Sequence, residues 1–379
     1  MSMRLLIWGS LALVALALAG FGAFILRLPT TSASSLAQPV AQAEMDAMMA
    51  ALRPPKRTRP LVAVIGINDA TETTDYLVPT GILRRADVAD VVTLATRPGP
   101  MRLFPALTVQ PDATIAEFDA RHPDGADYVI VPAMSRDDDP DVLAWIQSQA
   151  RKGSVVIAVC AGAKVVAAAG LLDGRRATTH WYYLKEMLER NPGIEYVPDK
   201  RMVVDRGVAT TTGITASMPM MLTLIEAIAG RPKAEAVAEE LGVSHWDARH
   251  DSGAFKLTRT FALTVLGNKV PFWNRERLGI QLKPGVDETS LALAADAWSR
   301  TYRSRAVTYA SKGGALRGAN GVRILPDRVA ASWPAATDLS TVSNGRPADV
   351  LDKTLRQISA RYGASTASMV AMQLEYPGR

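Results

Sequence analysis

The only cysteine of the 379-residue chain, Cys160, lies where an apolar run meets a run of small residues. Residues 154–159 read SVVIAV and residues 161–170 read AGAKVVAAAG. This order predicts a buried strand that turns sharply into a helix and presents the thiol at the carboxyl end of a sheet, where doubly wound folds bind ligands. Because unpaired amides and the helix dipole favour the thiolate there, we expect a lowered Cys160 pKa. The alternative is that Cys160 is a small buried hydrophobe.

The sequence around Cys160 alternates between strand-like and helix-like segments. The strand that precedes the cysteine lacks polar alternation, which indicates a central strand buried on both faces. Such a βαβ rhythm predicts an α/β fold with a parallel sheet. The predicted strands cover 61–67, 91–95, 127–133 and 154–159, and the predicted helices cover 75–86, 139–153, 183–191 and 216–230.

Three separated stretches resemble the ThiJ/PfpI superfamily. Residues 158–181, AVCAGAKVVAAAGLLDGRRATTHW, resemble its nucleophile-elbow segment. Residues 71–86 resemble the acidic segment after its first strand, and residues 209–230 resemble its closing loop and helix. The resemblance spans 61–230 and implies a flavodoxin-like, doubly wound parallel sheet with a nucleophile elbow. It is most similar to the amidase-like domain of AraC-type regulators, which carries the same GLLDGRRATTHW signature.

The resemblance implies roles for particular residues. Cys160 would be the nucleophile, Asp75 the acid beside the thiol, and His180 a histidine close to it. The backbone amides of Ala161 and Met134 would hold an oxyanion, although the chain reads VPAM where the superfamily usually has a Gly-Gly pair. If that position needs a positive φ, Met134 is strained there. Without the resemblance, His180 could equally be a hydrogen-bonded histidine at a strand end.

Two functions follow from the resemblance. The first is a cysteine-dependent hydrolase, or a glyoxalase- or deglycase-like enzyme, that acts on a small carbonyl or amide substrate. The alternative is a non-catalytic ligand- or redox-sensing domain related to AraC-type transcriptional regulators. Isocyanide hydration is not favoured, because Ala161 takes the place of a hydroxyl residue in those enzymes. We expect a small-molecule substrate or ligand as the partner, and a homodimer is possible.

No cofactor or metal is expected from the sequence. The stretch HWDARH offers only His245, Asp247 and His250, which is too few ligands for a convincing metal site. The net charge of +6 is mild, and basic residues are scattered among acidic ones, unlike the basic stripe of a nucleic-acid binder. Residues 235–249 match a helix-turn-helix unit only weakly, so a nucleic-acid partner is not expected.

Residues 5–26 carry no charged side chain, and about 20 such residues span a bilayer. We therefore expect residues 1–28 to be a single-pass membrane anchor, with a cleaved signal peptide as the competing interpretation. Arg4 precedes the segment and Arg27 follows it, which favours a cytoplasmic amino terminus in the inner membrane. The main domain would then be periplasmic or extracellular.

The rest of the chain divides by composition and by internal similarity. Residues 62–94 align without a gap with residues 278–310, but the second copy has no cysteine elbow. We expect this degenerate repeat to pack on the first copy. The aligned pairs are Glu72 with Glu288, Thr73 with Thr289 and Arg84 with Arg300. The predicted divisions are a linker over 29–60, a ThiJ/PfpI-like domain over 61–231, a connector over 232–269 and the repeat over 270–379.

Overall fold

The computed structural model describes residues 3–30, 37, 39–339 and 345–377. Within them the α-helices are α1 (Met3–Arg27), α2 (Gln42–Ala51), α3 (Thr73–Ala86), α4 (Ile115–Arg121), α5 (Pro140–Arg151), α6 (Gly162–Ala168), α7 (Leu184–Arg190), α8 (Ser217–Ala229), α9 (Arg231–Leu241), α10 (Arg259–Lys269), α11 (Glu288–Ser299), α12 (Pro347–Tyr362) and α13 (Ala364–Gln373).

The strands of the described residues are β1 (Leu61–Gly66), β2 (Asp69–Glu72), β3 (Asp90–Ala95), β4 (Met101–Phe104), β5 (Thr108–Gln110), β6 (Ala113–Thr114), β7 (Tyr128–Val131), β8 (Val155–Ala158), β9 (Arg176–Ala177), β10 (Glu195–Tyr196), β11 (Met202–Asp205), β12 (Val208–Thr211), β13 (Glu276–Gln281), β14 (Ser304–Ala310), β15 (Leu316–Arg317), β16 (Arg323–Leu325) and β17 (Arg328–Val329).

A seven-stranded sheet with the order β11-β12-β8-β7-β1-β3-β6 forms the centre of the fold. Neighbouring strands are parallel, except that β11 is antiparallel to β12. The strand that leads to Cys160, β8, lies between β7 and β12, and all four of its residues are buried. The predicted α/β fold with a mostly parallel sheet is confirmed.

Helices cover both faces of this sheet, as its buried aliphatic strands require. On one face, Trp145 and Ile146 of α5 and Val166 of α6 lie in one apolar cluster. On the other face, α3 and α8 supply a second cluster, which includes Tyr76. Local sequence explains the start of α5, because the Asp139 side chain accepts hydrogen bonds from the amides of its first turn.

The carboxyl-terminal half contains its own parallel sheet, β13-β14-β17, with α11 between β13 and β14. A third sheet, β15-β16-β5-β4-β2, takes strands from both halves. At its centre β5 and β16 are antiparallel, and Val109 pairs with Ile324. The helices α3 and α11 pack directly on each other. The two halves therefore share a sheet and a helix–helix contact.

The predicted membrane anchor over 5–26, and with it the inner-membrane localisation, is wrong. Among the described residues, no helix combines the length and apolarity that crossing a bilayer requires. The carboxyl end of α1 instead packs on α10 of the same chain. The Arg259 guanidinium donates to the Ile25 carbonyl at 3.3 Å, and the Arg259 amide donates to the Pro29 carbonyl at 2.8 Å.

The described part of the segment predicted to be a linker is folded onto the central sheet. It contains the short helix α2. Met48 and Leu52 are buried in the core, and the Tyr128 hydroxyl donates to the Leu52 carbonyl at 2.7 Å. Farther along, Arg57 pairs with the buried carboxylate of Asp127 at 2.6 Å. These contacts hold the described residues of the segment against the sheet.

Candidate functional site around Cys160

Cys160 lies in a tight turn between β8 and α6, as the sequence predicts. Its φ of 56° is in the left-handed region, which residues other than glycine rarely adopt because Cβ crowds the backbone. Two hydrogen bonds hold the turn: the Cys160 amide donates to Thr211 Oγ1 at 3.1 Å, and Thr179 Oγ1 donates to the Cys160 carbonyl at 3.0 Å. The surrounding strands therefore maintain a strained conformation at the thiol.

Gly162, the first residue of α6, allows the helix to begin against the neighbouring strand. A Cβ at this position would lie 2.0 Å from the carbonyl oxygen of Val131. Only a glycine therefore lets α6 approach β7 this closely, which places the start of the helix directly beneath the cysteine turn.

Asp75, in the first turn of α3, is fully buried beside the thiol. Its Oδ2 accepts the amide hydrogen of Ala133 at 3.1 Å, and its carboxyl group interacts with the Cys160 side chain. Burial raises the pKa of Asp75 to about 8, although the hydrogen bond from Ala133 and the charge of Arg300 oppose this shift. Asp75 is therefore mainly protonated at neutral pH, although a hydrogen bond donated by the Cys160 thiol favours its ionised form. The structure brings Asp75 and Cys160 together, and the role of Asp75 as the acid beside a nucleophile stays a prediction.

A second buried acid, Glu72, is paired with a base from the other half of the chain. Arg300 Nη2 lies 2.7 Å from Glu72 Oε1, and Arg300 Nε lies 2.7 Å from Asp296 Oδ1. Thr74 Oγ1 donates to Asp296 Oδ2 at 3.2 Å. Burial raises the pKa of Glu72 and of Asp296 above the usual carboxyl range, while Arg300 opposes both shifts. The Arg300 guanidinium thus pairs with two buried carboxyl groups, those of Glu72 and Asp296, next to the thiol.

The sequence did not predict this role for Arg300. Its alignment with Arg84 marked it only as a repeat position, whereas in the structure Arg84 pairs with Asp112 of its own half. The Glu288 side chain, which aligns with Glu72, instead accepts the amide hydrogens of Asn320 and Val322. The aligned Glu residues, and likewise the aligned Arg residues, therefore differ in function. The buried acid Glu72 was the signal that could have identified Arg300, because a buried carboxylate needs a cation beside it.

The expectation of a lowered Cys160 pKa is wrong in direction. The residue is only 4% exposed, and burial raises the pKa of the thiol, with the nearby Asp75 and Glu72 carboxyl groups acting in the same direction. The hydrogen bond from the Ala161 amide opposes the shift. Desolvation outweighs the field of a seven-residue helix, so the neutral thiol is favoured in this closed site.

The backbone amides near the thiol have different hydrogen-bond partners. The Ala161 amide donates a hydrogen bond to the Cys160 sulfur, and its predicted oxyanion role stays a prediction. The Ala133 amide is occupied by Asp75. Met134 pairs with Thr71 in an antiparallel bridge. The hydrogen bonds of this bridge are donated by the amides of neighbouring residues and not by the Met134 amide. The oxyanion role of Met134 stays a prediction.

His180 lies at the same edge of the sheet, but both of its ring nitrogens have other partners. Nε2 donates to the Gln373 carbonyl at 3.0 Å, and Nδ1 accepts the Tyr182 amide hydrogen at 3.2 Å. Burial lowers the pKa of His180, so the neutral ring is favoured. The residue lies close to the site without a hydrogen bond to the thiol, and its predicted catalytic role stays a prediction.

Parts of this chain are similar to known proteins. The DJ-1/PfpI family matches residues 62–227, which contain the cysteine turn. The isonitrile hydratase of Pseudomonas putida is 41% identical over 105 residues, which are 27% of this chain and 44% of that protein. The HTH-type transcriptional regulator GbdR of Pseudomonas aeruginosa is 39% identical over 97 residues, 26% of each chain. The chain therefore covers less than half the length of these two relatives.

The structure of DJ-1beta from Drosophila melanogaster is also similar to this chain. It covers 49% of this chain and 100% of the DJ-1beta chain, with 25% sequence identity and a TM-score of 0.45.

Proposed function

We propose, from the premise that residues 62–227 form a DJ-1/PfpI family domain, that this chain is a cysteine-dependent enzyme acting on a small carbonyl or amide substrate. Cys160 is the nucleophile, and Asp75 is the acid that moves the proton. The observation that carries the proposal is the strained left-handed conformation of Cys160 beside a buried acid whose pKa is about 8. Such strain lowers stability and is typically retained at sites that need it for function.

The chemistry begins with addition of the thiol to the substrate carbonyl. A C–S bond forms as the carbonyl π pair moves to oxygen, near the Ala161 amide. The neutral Asp75 carboxyl gives its proton to that oxygen and takes the thiol proton on its other oxygen, so it ends as it began. With an aldehyde the product is a hemithioacetal. With an amide, the hydroxyl proton of the adduct moves to nitrogen as the C–N bond breaks, which expels the neutral amine and leaves a thioester that water hydrolyses.

Arg300 supports this arrangement from outside the reacting atoms. By pairing with Glu72 and Asp296, it limits the negative charge that would otherwise oppose loss of the thiol proton during the addition. We regard Arg300 as a positioning residue.

The test is turnover of methylglyoxal and of a small carboxamide by the full chain. Cys160→Ser should reduce any turnover to the uncatalysed rate, and Asp75→Asn should reduce it by about 10²-fold, as expected for loss of a general acid. Glu189→Gln, a change at an exposed acid, is the matched control and should retain full turnover. Turnover that persists in Cys160→Ser would rule out the proposal.

A second candidate is ligand sensing, and the closed state of the site favours it. Cys160 is buried and both nitrogens of His180 are occupied. The Trp181 indole donates to the Met372 carbonyl at 2.8 Å, so a ligand that moves this segment would change Trp181 fluorescence. A saturable change, absent in Trp181→Phe, together with no turnover would support sensing over catalysis.

We also propose that residues 270–379 are a degenerate repeat related to the first half by a local two-fold axis. The hydrogen bonds of Thr93 with Asp112 recur between Thr308 and Asp327, with the Thr amide donating to the carboxylate at 2.9 and 2.8 Å. An axis of this kind would pass through the antiparallel β5–β16 pair. Within this arrangement the second half provides Arg300 to the thiol site of the first.

A further inference from the structure

The segment Met372–Tyr376, here called the cover segment, lies over the edge of the sheet that carries the thiol. Its first two carbonyl groups accept hydrogen bonds from the side chains that follow the cysteine turn: Met372 O from Trp181 Nε1 at 2.8 Å, and Gln373 O from His180 Nε2 at 3.0 Å. The cover segment is therefore held by hydrogen bonds from two side chains that follow the cysteine turn.

Glu375 is directed inward from the cover segment. Its φ of 51° is in the left-handed region, and its side chain is 2% exposed. Thr215 fixes the backbone, because its amide donates to the Leu374 carbonyl at 3.2 Å and its hydroxyl donates to the Glu375 carbonyl at 2.9 Å. The backbone of Glu375 is therefore held in a strained conformation that places its carboxylate in the protein interior.

The Glu375 carboxylate occupies a small polar space. Oε1 lies 3.0 Å from His250 Nε2, and the His250 ring is stacked on Phe255. Oε2 is buried and has no hydrogen-bond partner among the described residues. A Cβ at Gly213 would lie 2.2 Å from Cβ and 2.5 Å from Oε2 of Glu375, and 3.1 Å from Cδ2 of His180, so the absence of a side chain at Gly213 provides the space that Glu375 fills.

This space adjoins the thiol. Gly213 follows β12, whose last residue, Thr211, binds the Cys160 amide. Burial and the acids Asp75 and Glu72 chiefly raise the pKa of Cys160, and the Glu375 charge adds to the same shift. A carboxylate in this position is therefore an electrostatic neighbour of the sulfur.

We propose that the space between His250, Gly213 and His180 is a carboxylate-binding site, and that Glu375 stands in for the carboxylate of a small acid that is the substrate or ligand. The proposal rests on the proposed function, because it places the acid's neighbouring carbon toward Cys160. A buried carboxylate with one unpaired oxygen is poorly stabilised for a purely structural contact. A small acid that displaces the cover segment would take over the contact with His250 Nε2.

The experiment uses the full chain with Glu375→Gly, because glycine favours a left-handed φ and the variant should fold. Glu375→Gln keeps the side-chain shape without the charge, and Glu189→Ala removes an exposed acid elsewhere. Acetate is the probe, and acetamide is its neutral counterpart. Acetate should raise the melting temperature of Glu375→Gly, and it should leave that of wild type, Glu375→Gln and Glu189→Ala unchanged. Acetamide should change none of them.

Alkylation of the single cysteine provides a second measurement that needs no turnover. Iodoacetate carries the carboxylate and iodoacetamide does not. Relative to Glu189→Ala, Glu375→Gly should raise the ratio of the two rate constants, iodoacetate over iodoacetamide, by about tenfold, as expected for one charged hydrogen bond.

Each other outcome overturns the proposal. Equal acceleration of both reagents, with no effect of acetate, would make Glu375 a cover without a carboxylate site. No change of either rate would mean that Glu375 does not control this space. Failure of the proposed function is distinguishable, because it shows as a lack of Cys160-dependent turnover in wild type and Glu375→Gly alike, whether or not acetate binds.

Discussion

Arg300 Nη2 lies 2.7 Å from Glu72 Oε1, and this buried ion pair joins the two halves of the chain three residues before Asp75. Both halves therefore contribute residues to the surroundings of the thiol. The ion pair also predicts that substitutions in the second half will change the properties of Cys160.

Replacing Arg300 by Met should strongly destabilise the protein. The change leaves Glu72 and Asp296 buried without their cation, and breaking a buried pair in this way typically lowers the free energy of unfolding by about 3 kcal/mol or more. Urea denaturation at neutral pH measures the loss. Arg361→Met is the matched control, because Arg361 pairs with Glu276 at the same 2.7 Å but both side chains are one-third exposed. Its loss should be below about 1 kcal/mol, and equal losses would contradict the prediction.

Asp75→Asn should shift the pH dependence of thiol alkylation to lower pH. After burial, the Asp75 charge is the next cause that raises the pKa of Cys160, and Asn removes that charge while keeping a hydrogen-bond donor. The measurement is the iodoacetamide rate constant as a function of pH. Glu189→Gln should leave the profile in place. An unchanged profile in Asp75→Asn would mean that Asp75 does not influence the thiol.

The stability of wild type should fall as pH rises. The pKa of Asp75 is raised from 3.8 to about 8 on folding, so between these values the folded state holds a proton that the unfolded state has lost. The contribution of this proton to the free energy of unfolding is therefore complete below pH 3.8 and is lost as pH rises through about 8. Comparing urea unfolding at about pH 5 and about pH 9 should show a smaller decline in Asp75→Asn than in wild type. Parallel declines would exclude this linkage.

Two glycine substitutions should have opposite effects. Gly162→Ala places a Cβ 2.0 Å from the Val131 carbonyl and should lower the free energy of unfolding by about 1–3 kcal/mol. Gly267→Ala, inside α10 with no atom within 4 Å of the new Cβ, should raise it by about 0.5–1 kcal/mol. Urea denaturation of both variants measures the contrast. A tolerated Gly162→Ala would mean that α6 can move away from β7.

The sequence was sufficient for features whose causes are local. The apolar run before Cys160 and the small residues after it predicted the strand-to-helix turn, and the helix predicted over 139–153 is present as α5. The apolar stretch before Gly230 likewise predicted α8. These elements follow from hydrophobic period, capping and turn chemistry between near neighbours in the chain.

Tertiary structure decided the properties that depend on distant residues. Arg300 and Glu72 are 228 positions apart, and Glu375 reaches His250 across 125 positions, so no local pattern marks either contact. The direction of the Cys160 pKa shift was also set by burial, because desolvation depends on everything packed around the sulfur. The apolar character of residues 5–26 suggested a bilayer, but the packing of α1 on α10 is a contact that only the folded chain can reveal.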